Sequence, residues 1–392
     1  MTVAPADLRR LAAEAAPAAV ELRRQIHRRP ELGWREIETT SRVANTLASR
    51  GLEPRVREAG TGLVVSVGGE GPLVGFRADL DALPIQEETT LPFASEIKGL
   101  MHACGHDAHT AIAVGIADVL HRLPGLPGRA RLIFQPAEEL IPGGAVELSA
   151  EGVVDGVQAL LAFHVDPSLP AGSIGFRTGP ITGASDRVVI RLAGPGGHTS
   201  RPHRTVDLIY AAARVAADLP VLLQRTTDPR HPVILAFGMI QGGSAANVIP
   251  AEVELAGTVR LFELELWRDM AALVERLVHD LVDPLGAHAK VEYERGSPPV
   301  VNDGGVIAAA ERATRAMLGD DAVTETHQSM GSEDFAWYLE HVPGAMLRLG
   351  CGAGRREVDL HSATFDLDER AIEIGILTGA AALVELMEAA AG

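Results

Sequence analysis

The chain of 392 residues is too long for one ordinary hydrophobic core, so about two domains are expected. Hydrophobic residues make up 46% of the sequence and charged residues 22%, which is the balance of a soluble globular protein. The formal net charge of −17 disfavours nucleic acid or an anionic membrane as a partner, because both carry the same sign of charge as the protein surface.

The N-terminal segment and the hydropathy pattern argue against export and membrane insertion. A signal peptide needs an uninterrupted apolar segment, but the first fourteen residues carry charges at Asp7, Arg9, Arg10 and Glu14. No run of about eighteen or more apolar residues occurs elsewhere. We therefore expect a cytoplasmic protein with no membrane span.

The first part of the chain alternates between predicted helices and strands. Helices are expected at 6–27, where Pro17 divides or kinks the segment, and at 36–50. Further helices are expected at 108–123 and 305–318. Short apolar runs predict buried strands at 63–67, 73–76, 131–134, 159–163 and 345–349. This alternation favours an α/β fold class with a mostly parallel sheet.

The middle of the chain has a different predicted order, strand, helix, strand, strand, helix and strand. These elements are expected at 188–192, 205–219, 233–240, 253–260, 264–281 and 290–293. The βαββαβ order is the split, ferredoxin-like α+β arrangement. Segments rich in glycine and proline flank it. We therefore predict a discontinuous first domain, 1–182 and 297–392, with an inserted domain at 183–296.

Residues 101–109, with the sequence MHACGHDAH, combine one of only two cysteines with three histidines. Thiolate and imidazole are ligands for borderline-soft divalent metals such as zinc. The alternative is a buried Cys104 beside surface histidines. His109 lies early in a predicted helix that Asp107 can cap, so we expect a structural role for it.

Three predicted strands are each followed by residues able to perform chemistry. Asp81 comes soon after the strand at 73–76, Glu138 and Glu139 follow the strand at 131–134, and His164 directly follows the next strand. Ligands of open α/β sheets bind beyond the carboxyl ends of the strands. We therefore expect these residues to meet at one edge of the sheet.

The adjacent acids Glu138 and Glu139 allow two interpretations. Paired acids on a loop are usually solvated. Two adjacent carboxylates that face one site repel each other, however, and both stay ionised only beside a cation. One can then bind a metal while the other accepts a proton from water, a division that suits metal-assisted hydrolysis. His164 and His361 likewise allow two interpretations. His164 is either a core histidine with its hydrogen bonds satisfied or a ligand, and His361 is either an exposed loop histidine or a ligand.

Other common catalytic signatures are missing from the sequence. It contains no His-Glu-x-x-His motif and no Gly-x-x-x-x-Gly-Lys phosphate loop. A Gly-x-Ser-x-Gly nucleophile elbow is also absent, so nucleophilic serine chemistry has no support.

Eight segments in order along the chain carry a family resemblance. They are 27–32 (HRRPEL), 77–84 (RADLDALP), 101–109 (MHACGHDAH), 135–139 (QPAEE), 197–203 (GHTSRPH), 247–250 (NVIP), 331–335 (GSEDF) and 360–362 (LHS). Through them the chain resembles the co-catalytic metal aminoacylase/carboxypeptidase family of amidohydrolases. Within that family it is most similar to the hippurate, N-acyl-amino-acid and indole-acetyl-amino-acid hydrolases.

The resemblance implies roles for ten residues. It implies two divalent ions per subunit (zinc, manganese, nickel or cobalt) held by Cys104, His106, Glu139, His164 and His361. It further implies that Glu138 is the general base, that Asp81 orients a ligand, and that His198 hydrogen-bonds the oxyanion, in its own subunit or in that of a dimer mate. Asn247 and, more weakly, Arg260 are implied to hold the substrate. The sequence departs from the wider family at Asp79-Leu80-Asp81, where most members have a His-x-Asp ligand pair.

The expected function is hydrolysis of the amide bond of an N-acyl-amino acid by a homodimer or higher homo-oligomer, with the inserted domain as lid and dimerisation domain. A dipeptidase or N-acetyl-amino-acid deacetylase is the alternative among enzymes. The alternative from another class is a non-catalytic protein that uses metal as a staple. Glu138 separates these readings, because a structural metal site is closed and needs no free base.

Overall fold

The computed structural model describes residues 3–352 and 358–391. The helices of this part are α1 Pro5–Arg28, α2 Ile37–Ser49, α3 His106–Arg122, α4 Gly144–Ala150, α5 Leu208–Thr226, α6 Leu264–Val282, α7 Gly304–Leu318, α8 Ala336–Leu339 and α9 Arg370–Ala391. Single 3-10 turns occur at Pro202–Arg204, Asp283–Leu285 and Asp320–Ala322.

The strands of the same residues are β1 Arg55–Val56, β2 Leu63–Gly68, β3 Leu73–Asp79, β4 Arg129–Gln135, β5 Leu160–Pro170, β6 Ile174–Phe176, β7 Gly179–Pro180, β8 Ala184–Ala193, β9 Gly197–His198, β10 Val233–Gly242, β11 Val248–Ile249, β12 Glu252–Leu261, β13 His288–Ser297, β14 Val301–Asn302, β15 Val323–Glu325 and β16 Gly344–Gly352. They belong to two compact units. The first comprises the described residues within Met1–Gly179, Val301–His327 and Asp334–Gly392, and the second comprises Pro180–Val300 and Gln328–Glu333.

The first unit is built on an eight-stranded sheet with the order β1-β2-β4-β3-β5-β16-β6-β15. Its four central strands, β4, β3, β5 and β16, are parallel to one another, while β2 and β6 join them in antiparallel pairs. Every residue of β3 is buried, as in a parallel strand whose two faces are both covered. This confirms the mostly parallel α/β sheet predicted from the sequence.

The register of the central strands determines where the candidate residues lie. Asp79, the last residue of β3, is opposite Gln135, the last residue of β4. Ala162 of β5 is opposite Arg77, so His164 lies at the level of Asp79 two residues further on. The expectation that the strand ends directly before His164 was wrong, since β5 continues to Pro170 because β16 pairs along it.

Helix α1 differs from its prediction because it is one helix of 24 residues with Pro17 inside it. A proline in a helix interior costs about 3 kcal/mol. The apolar face of α1, including Leu8, Leu11 and Leu22, is buried, and the helix contacts α3 and α9. Pro17 itself is exposed. Burial of the apolar face therefore offsets the local cost, and the predicted division at Pro17 was wrong.

Helix α9 was not anticipated from the sequence. It is long and apolar enough to cross a membrane, but 67% of its most apolar window is buried within the protein, where it contacts α1, α3 and α7. These contacts are those of a core helix. Helix α3 is buried along most of its length and lies beside it.

The second unit contains a four-stranded antiparallel sheet with the order β10-β12-β8-β13. Helix α5 follows β8 and helix α6 follows β12, so the chain order is βαββαβ. The two helices contact each other, and α5 contacts β8, β10 and β12. Helix α5 ends at Thr226, seven residues beyond the predicted end, and continues through Pro220. A separate two-stranded ribbon pairs β9 with β11.

Candidate active site

A tight turn before α3 brings Cys104 and His106 to the end of the parallel sheet. Gly105, between them, has φ +86, and a Cβ atom added there would lie 2.4 Å from a methyl group of Val165. Only glycine fits this backbone conformation and this close approach without strain. Cys104 and His106 are both buried, at 7% and 1% exposure.

The other four residues expected to bind metal lie around the Cys104 thiol. Its Sγ atom is 3.5 Å from Nε2 of His164 and 3.3 Å from Nε2 of His361. Oε1 of Glu139 is 3.3 Å from Nε2 of His361 and 3.9 Å from Nε2 of His106. Ligand atoms of Cys104, Glu139 and His361 fall within 4.8 Å of one another, which is close enough to share one ion.

Hydrogen bonds to main-chain carbonyls orient two of the imidazoles. Nδ1 of His106 lies 2.9 Å from the carbonyl oxygen of Asp81, and Nδ1 of His164 lies 2.8 Å from that of Val165. A carbonyl only accepts, so each Nδ1 carries a proton, and Nε2 is the nitrogen whose lone pair the neutral form of each imidazole offers to a metal ion. Such a second hydrogen bond is typical of metal-binding histidines.

The donor set fits divalent metal ions. Nε2 of His106 is buried and makes no hydrogen bond to any described residue. Burial lowers the pKa of His164 well below its usual range, with the Arg348 charge acting in the same direction, so this imidazole is neutral. Burial raises the pKa of the Cys104 thiol to about 12, and a bound cation supplies the charge that favours thiolate. One sulfur, three imidazoles and a carboxylate match the ligand preferences of zinc-like metals.

Asp81 holds the loop after β4, which carries the two acids Glu138 and Glu139. Oδ1 of Asp81 accepts the N–H of Glu138 and Oδ2 accepts the N–H of Glu139, each at 3.0 Å. The Glu138 carboxylate lies 3.9 Å from Nε2 of His106. Glu138 is thus beside the ligand cluster, and Asp81 fixes the backbone from which both acids project.

His109 has a closed set of partners at this site. Its Nδ1 donates to Oδ1 of Asp79 at 2.7 Å, and its Nε2 accepts the N–H of Val165 at 2.9 Å. With both nitrogens engaged, His109 joins β3, α3 and β5. Asp107 does not cap the helix as expected, because it lies within the first turn of α3. It accepts instead from Arg23 and is paired with His27, at 2.7 and 2.8 Å.

A buried polar network behind the cluster was missed in the sequence. Arg77 donates to Gln135, Asp79 and Asp334 at 2.8, 2.6 and 2.8 Å. Asp334 also accepts the N–H of Ala145 at 3.0 Å. The charge of Arg77 lies within a strand whose every residue is buried, and a charged residue in such an apolar strand was the signal that could have predicted this network.

The structure brings two candidate residues of the second unit together on one ribbon. His198 of β9 is paired with Val248 of β11, the residue that follows Asn247. The N–H of Thr199 donates to the carbonyl of Asn247 at 3.2 Å. His198 and Asn247 are both exposed. Arg260 lies apart from this ribbon, on β12, where its guanidinium donates to the carbonyl of Met330 at 2.5 Å.

The ring of His198 is oriented by its own turn. Nδ1 of His198 accepts the N–H of Ser200 at 3.1 Å. A backbone N–H only donates, so the proton of the neutral imidazole is on Nε2. His198 therefore presents an N–H donor to solvent, which is the form needed to stabilise a developing oxyanion.

Together, the α/β fold and the cluster of cysteine, histidine and glutamate define a metal-dependent hydrolase. The model of the family described as Peptidase family M20/M25/M40 matches residues 75–385. The chain belongs to this family, which confirms the resemblance inferred from the sequence.

Known proteins of related sequence point the same way. An N-acyl-L-amino acid amidohydrolase of Geobacillus stearothermophilus is 40% identical over 76% of this chain and 81% of its own length. An N-acetylcysteine deacetylase of Bacillus subtilis is 38% identical over 91% of this chain and 93% of its own length. A Rhodococcus jostii protein with a glutamate–cysteine ligase name is 48% identical over 92% of this chain, but the chain spans only 45% of that protein.

Two solved structures share the fold. The YXEP protein of Bacillus subtilis, described as a dinuclear metal binding peptidase, has a TM-score of 0.84 and 36% identity, covering 96% of this chain and 99% of its own. A protein of methicillin-resistant Staphylococcus aureus, described as an aminohydrolase, has a TM-score of 0.93 and 30% identity, covering 98% of this chain and all of its own.

Proposed function

We propose that the protein hydrolyses the amide bond of N-acyl-amino acids and releases a carboxylic acid and an amino acid. The observation that carries the proposal is the position of Glu138, a carboxylate beside five convergent ligand residues and 3.9 Å from one of them. A site that only staples the fold has no use for an adjacent base. The amidohydrolase and deacetylase relatives act on the same class of substrate by their names.

Two divalent ions would be held by Cys104, His106, Glu139, His164 and His361. When bound, they would lower the pKa of water and polarise the amide carbonyl. Zinc, manganese, nickel and cobalt all suit this mixture of sulfur, nitrogen and oxygen ligands. The dinuclear site of the YXEP protein supports the number of ions.

Glu138 would perform the proton transfers. Its carboxylate accepts a proton from the attacking water as the water oxygen bonds to the carbonyl carbon. It then gives that proton to the amide nitrogen as the C–N bond breaks, so the amino acid leaves with a neutral amine. Asp81 holds the amides of Glu138 and Glu139, and so maintains the direction of both side chains during the reaction.

The second unit would contribute binding groups. His198, with its proton on Nε2, would donate a hydrogen bond to the oxyanion, from its own subunit or from a dimer mate. Asn247, on the same ribbon, would hold the substrate through its amide group. Arg260 would bind the substrate carboxylate through the guanidinium nitrogens that do not contact Met330.

We further propose that the second unit is a lid and dimerisation domain, and that the protein is a cytoplasmic homodimer or higher homo-oligomer. Support comes from large apolar side chains exposed on α5 and on the edge strand β10. They include Ile209, Tyr210, Val221, Ile234 and Ile240, with exposures of 50%, 49%, 48%, 42% and 56%. An exposed edge strand beside apolar helix residues favours pairing with a second copy.

The test is hydrolysis of a panel of N-acyl-amino acids by the metal-loaded protein, with metal content measured in the same preparation. N-benzoyl and N-acetyl derivatives of several amino acids distinguish the main proposal from a deacetylase, and free dipeptides distinguish it from a dipeptidase. Failure to hydrolyse any member with two metal ions bound per chain would favour the non-catalytic reading.

A further inference from the structure

Glu36 is a buried acid that the proposed mechanism does not use. It directly precedes α2, and none of its surface is exposed. Its Oε1 atom accepts the N–H of Ala137 at 2.8 Å, although 101 positions separate the two residues. Ala137 is the residue before Glu138, so this bond connects the N-terminal region to the loop of the candidate base.

Ala137 has a backbone conformation that needs support. Its φ is +56, a left-handed value that residues other than glycine rarely adopt. A non-glycine residue persists there only when the surrounding structure fixes it. The Glu36 carboxylate accepts the N–H of Ala137. This hydrogen bond lies where the chain changes direction toward Glu138.

Three consecutive backbone amides of this loop are therefore bound by two carboxylates. Glu36 accepts from Ala137, and the two oxygens of Asp81 accept from Glu138 and Glu139. Packing limits other positions of the loop. A Cβ atom at Gly33 would lie 2.8 Å from Leu140 and 3.2 Å from the Cα atom of Ala137.

Helix capping does not explain Glu36. Its side chain makes no capping hydrogen bond to α2. The first amides of that helix are instead bound by Glu31, whose carboxylate accepts from Glu38 at 3.1 Å and from Thr39 at 2.8 Å. The carboxylate of Glu36 therefore has its contact with Ala137 for a reason other than capping, and the amides of Trp34 and of Glu36 itself also face it.

Burial of the Glu36 carboxyl group also costs free energy. Its Oε2 atom is buried and makes no hydrogen bond to any described residue. Burial raises the pKa of this carboxyl to about 7, even though neighbouring backbone amides lower it. A polar side chain kept in such a position, where an apolar one would be cheaper, indicates a role beyond packing.

We propose that Glu36 is a positioning residue for hydrolysis: it fixes the Ala137 backbone and thereby the direction in which the Glu138 side chain leaves the loop. The proposal rests on the proposed function for the role of Glu138. Displacement of a reacting group by about 1 Å can cost on the order of 10²-fold in rate. Removing the Ala137 bond is therefore expected to lower kcat and to leave KM nearly unchanged.

The experiment compares three variants of Glu36 with a control from the same segment. Glu36→Ala removes the acceptor, Glu36→Asp keeps the charge but is one methylene shorter, and Glu36→Gln keeps an acceptor oxygen at the original reach. The control, Glu31→Ala, also removes a carboxylate that accepts backbone amides, but those amides belong to α2. Each protein is assayed for kcat, KM and metal content, and amide hydrogen exchange is measured on the peptide 135–141.

Glu36→Ala and Glu36→Asp are expected to lose about 10- to 100-fold in kcat with metal bound, and to show faster exchange of the loop amides. Glu36→Gln is expected to retain most of kcat and slow exchange, and Glu31→Ala to retain both. Wild-type exchange and kcat in both Glu36→Ala and Glu36→Asp would overturn the proposal. So would a Glu36→Gln variant as impaired as Glu36→Asp, because an acceptor oxygen at the original reach would then not be enough to hold the loop.

Exchange separates this proposal from the proposed function. A wild-type protein that hydrolyses no N-acyl-amino acid refutes the function, while the exchange of residues 135–141 still decides whether Glu36 holds the loop. If the wild type is active and the Glu36 variants leave the exchange of residues 135–141 unchanged, only the positioning role of Glu36 is refuted.

Discussion

The candidate residues of the two units differ in how firmly the protein holds them. In the first unit, Cys104, His106 and His164 are buried, and backbone hydrogen bonds or close packing fix each position, with the exposed His361 as the exception. In the second unit, His198 and Asn247 are exposed on a two-stranded ribbon. Buried side chains held in place suit the binding of a metal ion, whereas exposed groups are free to close on a substrate after it has bound.

The strongest test of this comparison is removal of the base. Glu138→Gln is expected to lower kcat by about 10⁴-fold, because proton transfer to and from a positioned carboxylate is lost. Two metal ions should remain bound, as measured by elemental analysis. Glu139→Gln is the matched control, and it should lose metal as well as activity. Loss of metal in Glu138→Gln would show that Glu138 and Glu139 do not have separate roles as general base and metal ligand.

The next test concerns the thiol at the centre of the cluster. Cys104→Ala removes an atom that lies within 3.5 Å of two imidazoles, so we expect weaker metal binding by roughly 10²-fold or more and a matching loss of activity. Cys351→Ala is the control, because Cys351 is a second buried free thiol. Metal titration with a chelating competitor measures the difference. Equal affinity in the two variants would remove Cys104 from the metal site.

An effect on kcat alone, without loss of metal, is expected on the ribbon. His198→Ala should lower kcat by about 10²- to 10³-fold, the typical cost of losing one oxyanion donor. Metal content should be unchanged, because His198 belongs to the other unit. His288→Ala, which removes an exposed histidine of the same unit, is expected to be silent. Turnover near the wild-type value in His198→Ala would refute its role.

The effect at Asn247 should be smaller still. Asn247→Ala is expected to raise KM about tenfold, equivalent to one hydrogen bond to the substrate, with little change in kcat. Gln241→Ala is the control, since it removes an exposed amide from the neighbouring strand β10. A fall in kcat without a change in KM would move Asn247 from binding to catalysis.

The smallest expected effect is on stability and depends on pH. The pKa of Glu36 is raised to about 7 in the folded protein, so folding favours its protonated form. The resulting stabilisation is present below the unfolded pKa and is lost as pH rises through 7. Glu36→Gln should therefore raise Tm relative to the wild type at pH 8 more than at pH 5, in metal-free protein. An equal Tm difference at both values of pH would contradict the raised pKa.

Much of the fold and the candidate site was predictable, because apolar periodicity and strand-end chemistry are local signals. Glu138, Glu139 and His164 were found after predicted strands and Cys104 and His106 in a cysteine–histidine cluster, while the ligand set itself was implied by the family resemblance. The continuity of α1 through Pro17 was not predictable, because it depends on contacts with α3 and α9. The role of Glu36 was hidden for the same reason, since its partner Ala137 is 101 positions away. Likewise, the partners of Asp107 come from a distant helix rather than from its own.

The separation of the ligands along the chain has a consequence for biosynthesis. Cys104 and His361 are 257 positions apart, and α9, which packs against α3, follows His361. A nascent chain therefore carries its thiol and first imidazole long before the remaining ligand has been translated. With the proposed ligand set, stable metallation must wait until residue 361 has been translated, so a ribosome that stalls before this codon leaves a chain with an incomplete metal site.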